Sequence, residues 1–205
     1  MSQWLAWAKQ IQAISQTGKT YTKDGYDLER YEQLADISHQ MLASLAEQPV
    51  SRVENLFIDE QGYPTPKVDL RAGVIVDNKI LLVRERTDDK WSLPGGWADV
   101  NEAPREGIIR EVLEESGYQV TNPKLIALKD RALHAYLPIS AQHIYKLFFL
   151  CELIGGAPKL NLEVSEIGFF ALDNLPQLST GRVLVEDIQM LFAHYKQPDK
   201  ALFID

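Results

Sequence analysis

Residues 95–118 read Gly95-Gly-Trp-Ala-Asp-Val-Asn-Glu-Ala-Pro-Arg-Glu-Gly-Ile-Ile-Arg-Glu-Val-Leu-Glu-Glu-Ser-Gly-Tyr118. Six acidic residues crowd this stretch: Asp99, Glu102, Glu106, Glu111, Glu114 and Glu115. Pro104 stands where a helix can start, because the first helical N–H groups have no partner to lose. Gly117 stands where a helix can end in the left-handed conformation. The stretch therefore reads as a loop, a helix of about three turns over 104–116, and a turn. Residues i, i+3 and i+4 share one face of a helix, so Glu111, Glu114 and Glu115 converge while Ile108, Ile109, Val112 and Leu113 fall on another arc. Three carboxylates on one face repel one another mildly. Hard oxygen ligands of this kind suit Mg²⁺ or Mn²⁺. A solvated acidic face is the other reading the helix alone allows.

The spacing settles on one pattern. Gly96, Glu102, Arg110, Glu111, Val112, Glu114, Glu115 and Gly117 stand at the intervals of the signature of the Nudix hydrolases, which this chain resembles. Tyr118 departs from it, where an aliphatic residue is usual, at a packing position. The resemblance implies a mixed sheet between helices over about 67–195, an α+β sandwich of the α/β/α kind. It implies hydrolysis of a nucleoside diphosphate linked to another group. Metal ligands would be Glu111, Glu114 and Glu115, with the Gly96 carbonyl as an addition, and Mg²⁺ or Mn²⁺ as the cofactor. Glu102 would support structure, and Arg110 would orient a neighbouring carboxylate through a fork-like ion pair. The general base varies within the family; here Glu163 and Glu166 are the late-loop candidates, beside the reading that both are solvated.

Working outward, residues 1–60 look helical. Trp4, Leu5, Ala8, Ile11 and Ile14 recur at helical spacing, and a polar break follows at 17–27. A second helix is expected over 26–46 with Leu28, Tyr31, Leu34, Ile37, Met41 and Leu45 in its stripe, and a short third over 50–58. Glu60-Gln-Gly-Tyr-Pro-Thr-Pro66 reads as a boundary, since two prolines and a glycine disfavour helix and strand alike. Residues 1–60 thus form a small helical module, 61–66 a linker and 67–205 the hydrolase domain. Strands are expected at 68–75, 80–83 after the tight turn Asp77-Asn78, 91–93, 119–131, 144–154 and 166–172, and a helix at 182–194. A helical module ahead of such a domain, with Thr65-Pro-Lys-Val-Asp-Leu-Arg-Ala-Gly-Val74, is similar over its full length to the bacterial subgroup of CDP-choline and ADP-ribose pyrophosphatases.

For substrate, the candidates are Arg71, Arg84 and Arg86 as phosphate-binding forks and Trp97 as a stacking face. Trp91 reads as packing. His134 and His143 flank a proline-containing loop, His39 is a lone histidine, and Tyr21 and Tyr26 could reach the site in the same or a partner chain.

Composition bounds the rest. Of 205 residues 45% are apolar, enough for a packed core. No apolar run is long enough to span a bilayer, and the N-terminus lacks the pattern of a signal peptide. Cys151 is the only cysteine and reads as a core residue; a cytoplasmic setting is expected. The net charge of −8 disfavours a long non-specific nucleic-acid groove. Residues 1–60 carry 5 basic and 9 acidic residues, which argues against a DNA-binding module and a nucleotide-sensing protein. Hydrolysis of nucleoside triphosphates or capped RNA is the alternative within enzymes. The helical module is too small for a strong core of its own yet rich in Trp4, Trp7, Ile14, Ile37 and Phe57. It is therefore expected to make a homodimer.

Overall fold

A computed structural model describes residues 3–47, 49–54 and 62–205. The end of the expected third helix, Phe57, and the first two residues of the expected boundary lie outside them. The chain divides into two compact units, one of Met1–Pro66 with Ala132–His134 and Pro138–His143, the other of Lys67–Arg131, Ala135–Leu137 and Ile144–Asp205.

The first unit is built on α1 (Gln3–Tyr21), α2 (Gly25–Ala46) and a one-turn α3 (Val50–Glu54). The expected polar break shrinks to three residues, because α1 runs on through Thr17-Gly18-Lys19. A glycine inside a helix costs about 1 kcal/mol, but a Cβ at Gly18 would overlap the Tyr31 ring. Asp24 then starts α2 by accepting the Asp27 N–H at 2.9 Å. The hairpin closes through small residues: Ala8, Ser15, Ala35, Ser38 and Ala43 are buried, with Leu5 and Leu42. Ser38 Oγ donates to Ala8 O at 2.9 Å. Much of the bulky apolar stripe lies outside this small core. Trp4 is 60% exposed, Ile14 52% and Ile37 50%, and Leu28, Leu34 and Leu45 are exposed too.

The second unit is a mixed sheet between helices. Its strands are β1 (Lys67–Val76), β2 (Lys79–Glu85), β3 (Trp91–Ser92), β4 (Tyr118–Asp130), β5 (Ile144–Gly156), β6 (Val164–Ala171) and β7 (Phe203–Ile204). Their order is β3-β2-β1-β5-β4-β7, with β6 on β2. β1 and β5 run parallel; β2 pairs antiparallel with β1, β3 and β6, and β4 antiparallel with β5. Asp77 and Asn78 both adopt positive φ, 50° and 57°, as a two-residue hairpin turn requires.

Side chains alternate across β1. Leu70, Ala72 and Val74 pack with Leu81, Phe149 and Cys151 against Ile108 and Val112 of α4 (Pro104–Ser116). Gly73 and Ile75 face the other way, where Ile80, Leu82 and Phe148 meet Ile188, Leu191 and Phe192 of α5 (Val185–Lys196). Cys151 is buried in the first of these cores, and burial pushes its thiol up to about 12, so it stays protonated. Among the described residues no helix is long and apolar enough to cross a membrane.

Candidate active site

Ile108 and Val112 seat helix α4 on the sheet, and a backbone ladder places the glycine loop that precedes it. Residues 94–98 run along β1: Ala72 N–H donates to Pro94 O, Leu70 N–H to Gly96 O at 2.8 Å, and Ala98 N–H to Val68 O. The approach is so close that a Cβ at Gly95, whose φ is +138°, would strike the Leu70 carbonyl. The Gly95 N–H is thereby turned to Glu115, whose Oε2 accepts it at 2.9 Å. At the far end Gly117, φ +74°, closes α4 with its N–H on Leu113 O at 2.8 Å.

Arg110 stands at the centre of the carboxylates. Its Nε and Nη2 donate to the two oxygens of Glu102 at 2.8 and 2.9 Å, and its Nη1 to Glu114 at 2.8 Å. Glu111 lies 3.1 Å from the same guanidinium and Asp99 3.2 Å. The hydrogen bond from Arg110 holds Glu102 below the usual carboxylate range. Glu111 and Glu115 go the other way. Burial raises Glu111, with Arg110 opposing. Burial pushes Glu115 up to about 8 against the pull of Arg71 and the Gly95 N–H. The helix thus holds two desolvated carboxylates beside one exposed carboxylate, Glu114.

Among the described residues no three acidic, histidine or cysteine side chains already converge on a single point as a metal cage; Arg110 stands among them instead. The donor set nonetheless fits a hard divalent cation. A Cβ at Gly96 would lie only 3.1 Å from both Glu111 oxygens, so that glycine lets the carboxylate lie against the loop backbone, while its own carbonyl accepts the Leu70 N–H.

The other sequence candidates are spread more widely. Arg71 is 5% exposed. It gives Nε to Asp69 at 2.9 Å and Nη1 to Ser92 Oγ and Leu93 O, and so is turned into the protein beneath the glycine loop. Arg84 is held by Asp89 and by Glu166, which engages one candidate base with one candidate phosphate fork. Arg86 and Glu163 have exposed side chains and are joined by Arg86 N–H to Glu163 O at 2.8 Å. Trp97 is 50% exposed beside its backbone bridge to Asp69. Trp91 packs edge-on to Phe170, ring centroids 4.7 Å apart. His134 and His143 belong to segments of the helical unit, as do Tyr21 and Tyr26, 65% and 75% exposed.

Sequence reasoning passed over four residues. Gly107 lets Glu102 lie against α4, since a Cβ there would come 2.8 Å from Glu102 Oε2. Asn161 gives its amide to Glu114 O at 2.8 Å, which brings the loop of Glu163 to the end of α4. Asp69 joins Arg71 to Lys146, a lysine 1% exposed. The signal for that pair was present in β1, where Asp69 and Arg71 alternate with Val68, Leu70 and Ala72 and so share one face.

Comparison with known proteins falls on the same two parts of the chain. A family model described as the UDP-X-like, N-terminal oligomerisation domain matches residues 2–57, and the NUDIX domain model matches 68–187. The Bacillus subtilis (strain 168) protein named "Putative ADP-ribose pyrophosphatase YjhB" is 40% identical over 100% of this chain and 98% of its own. Among solved structures, a UDP-X diphosphatase is 33% identical with a TM-score of 0.64, covering 100% of this chain and 98% of that one. An ADP-ribose pyrophosphatase from Streptococcus suis 89-1591 is 34% identical with a TM-score of 0.61, covering 69% of this chain and all of its own.

Proposed function

The chain belongs to the Nudix hydrolase family, and from that premise we propose that it splits a nucleoside diphosphate linked to another group, of the ADP-ribose or CDP-choline type. The observation that carries this reading is the set Glu111, Glu114 and Glu115 on one helical face, held against the Gly95-Gly96 loop and steadied by Arg110 and Glu102. Water attacks one phosphorus, the bond to the bridging oxygen breaks, and the water proton passes to a carboxylate. Glu163 is our candidate for that carboxylate. Its side chain is exposed, on a loop fastened to α4 through Asn161, whereas Glu166 is engaged by Arg84.

Glu111, Glu114 and Glu115 with the Gly96 carbonyl would hold Mg²⁺ or Mn²⁺. Such an ion neutralises phosphate oxygens and acidifies water. The protein supplies the rest: Arg110 sets the angle of two of these carboxylates, and Gly95 N–H fixes the third. Trp97 and Arg86, both exposed, are the proposed contacts for the substrate. The full-length relatives support different nucleotides, adenosine through the name of the Bacillus subtilis protein and uridine through that of the UDP-X diphosphatase. We further read residues 1–60 as the module that makes a homodimer, 61–66 as a linker and 67–205 as the hydrolase domain. The cytoplasm, where a lone buried thiol is stable, is the setting of this reading.

The test is a hydrolysis panel on the purified full-length chain with Mg²⁺, Mn²⁺ or EDTA, products identified by mass. A nucleoside monophosphate and a phosphorylated second group from ADP-ribose, CDP-choline or a UDP-sugar, lost in EDTA, is expected. Pyrophosphate from nucleoside triphosphates alone would move the reading to the triphosphatase alternative. Binding without turnover across the panel would overturn hydrolysis in favour of a sensor.

A further inference from the structure

The last turn of α4 carries no basic side chain of its own, so its final carbonyls take their donors from elsewhere. Gly117 N–H donates to Leu113 O at 2.8 Å, Asn161 Nδ2 to Glu114 O at 2.8 Å, and Lys159 N–H to Ser116 O at 3.0 Å. Two of these three donors come from residues 157–163, the loop between β5 and β6 that carries Glu163. Gly117 gives that loop its seat. Apart from its positive φ, a Cβ there would come 2.4 Å from Ala157 O and 2.6 Å from Lys159 Cβ. The glycine that ends the motif helix thus also lets the late loop lie across the helix end.

Asn161 works in two directions. While its Nδ2 holds α4, its Oδ1 accepts the Glu163 N–H at 2.8 Å and the Val164 N–H at 2.7 Å. Only an amide fits this place, because one atom faces two N–H donors and must accept, while the other faces a carbonyl and must donate. From the opposite side the Arg86 N–H donates to Glu163 O at 2.8 Å. Both backbone polar groups of Glu163 are therefore engaged, one of them by a side chain that is itself fastened to residue 114. Val164 is fully buried and Glu163 exposed, so the pinned backbone turns the Glu163 carboxylate outward.

We propose that Asn161 is a positioning residue for hydrolysis, one that ties Glu163 to α4 so that the proton acceptor keeps a fixed place relative to Glu111, Glu114 and Glu115. The proposal rests on the reading of Glu163 as the proton acceptor. In this role Asn161 touches neither the substrate nor the reacting atoms; it acts through Glu163. The loop is then a strut, held to the helix end whether or not substrate is bound, rather than a lid that closes on it. A misplacement of about 1 Å in a catalytic group can cost about 100-fold in rate, so three hydrogen bonds of one surface amide are enough to govern turnover.

The test is a double-mutant cycle in the full-length chain with Mg²⁺, on the conjugate that the hydrolysis panel shows to turn over fastest. Asn161→Ala should lower kcat about 10- to 100-fold and leave KM unchanged. In the Glu163→Gln background the same change should cost less than about 3-fold, because a residue that acts through Glu163 has nothing left to position. Equal losses in the two backgrounds would mean that Asn161 acts on α4 or on the fold in general, overturning the proposal while sparing Glu163 as the acceptor. Wild-type kcat in Asn161→Ala would do the same, and so would a raised KM at unchanged kcat, which would make the loop a substrate contact. Wild-type turnover in Glu163→Gln would overturn the acceptor assignment itself, and the proposal with it. Asn161→Asp tests the tie to the helix separately. It keeps the acceptor for Glu163 and Val164, loses the donor to Glu114 O, and sets an anion at the negative end of the helix dipole. It should be at least as impaired as Asn161→Ala, and wild-type turnover there would overturn the proposal as well.

Discussion

Arg110 grips Glu102 with two parallel hydrogen bonds, Nε to Oε1 at 2.8 Å and Nη2 to Oε2 at 2.9 Å, and still reaches Glu114 with Nη1. Only a planar guanidinium can direct three donors this way; an ammonium is a single point of charge. Arg110→Lys therefore keeps the charge and loses the geometry. Turnover should fall about 10- to 100-fold, the usual cost of losing a group that orients metal ligands, and half-saturation by Mg²⁺ should shift upward. The melting temperature should hardly move, since partly exposed pairs contribute little. Glu102→Gln should lower turnover in the same direction. Full activity and unchanged metal dependence in Arg110→Lys would show that Arg110 does not orient the carboxylates.

Glu115 gives a prediction about pH. Burial lifts its folded pKa to about 8, far above the value of about 4.3 for a free glutamate. A carboxylate raised on folding contributes stability below its unfolded pKa, and that contribution is lost as pH climbs towards the folded one. In EDTA the wild-type chain should therefore lose stability between about pH 5 and pH 8 from this group. Glu115→Gln, which can still accept the Gly95 N–H, should lose less over that window and melt higher than wild type at pH 9. The same variant should be almost inactive. Parallel pH–stability curves for the two proteins would refute the account.

The geometry of the motif was readable because helix periodicity is local. Proline, glycine and the i, i+3, i+4 glutamates predict the bounds that α4 shows, and the Asp77-Asn78 turn is of the same kind. What failed to show was non-local. Arg71 looks like a phosphate ligand until Asp69, Ser92 and Leu93, on separate segments, are folded around it. Glu163 and Glu166 look equivalent until Arg84, more than seventy residues earlier, engages only one. In the helical unit the helical spacing holds, but spacing alone does not say which side of each helix closes the hairpin. A stripe of bulky residues marks a face that will be covered, without saying by what, and here Ala8, Ala35 and Ser38 close the hairpin instead.

That difference between the two loop glutamates can be measured. Glu163→Gln should cut the turnover number by about 10²–10⁴-fold, the range for a general base, with little change in substrate binding. Glu166→Gln should stay close to wild type in turnover, because it removes only an exposed partner of Arg84. Loss of turnover in Glu166→Gln alone would reverse the assignment, and normal turnover in both would return the base to α4.

Asp69 tests whether Arg71 is a support or a substrate ligand. Its carboxylate accepts Arg71 Nε at 2.9 Å and pairs with Lys146, and all three side chains are less than a tenth exposed. Arg71 then pins Ser92 and Leu93, the residues that lead into Pro94-Gly95-Gly96. Removing one member of a buried ion pair strands the others, at a cost of about 3–5 kcal/mol. Burial already draws Lys146 down to about 8, and without Asp69 it can go neutral near pH 7, which favours the lower end of that range. Asp69→Asn should thus lower the melting temperature by about 10 °C. Adding Lys146→Met should restore part of the loss, because one stranded cation is gone. Turnover of the surviving folded enzyme should fall, since the glycine loop that aims Gly95 N–H at Glu115 loses its anchor. If Arg71 instead bound substrate, Asp69→Asn would raise KM and leave both stability and turnover near wild type, an outcome that thermal melts and steady-state kinetics on one preparation distinguish.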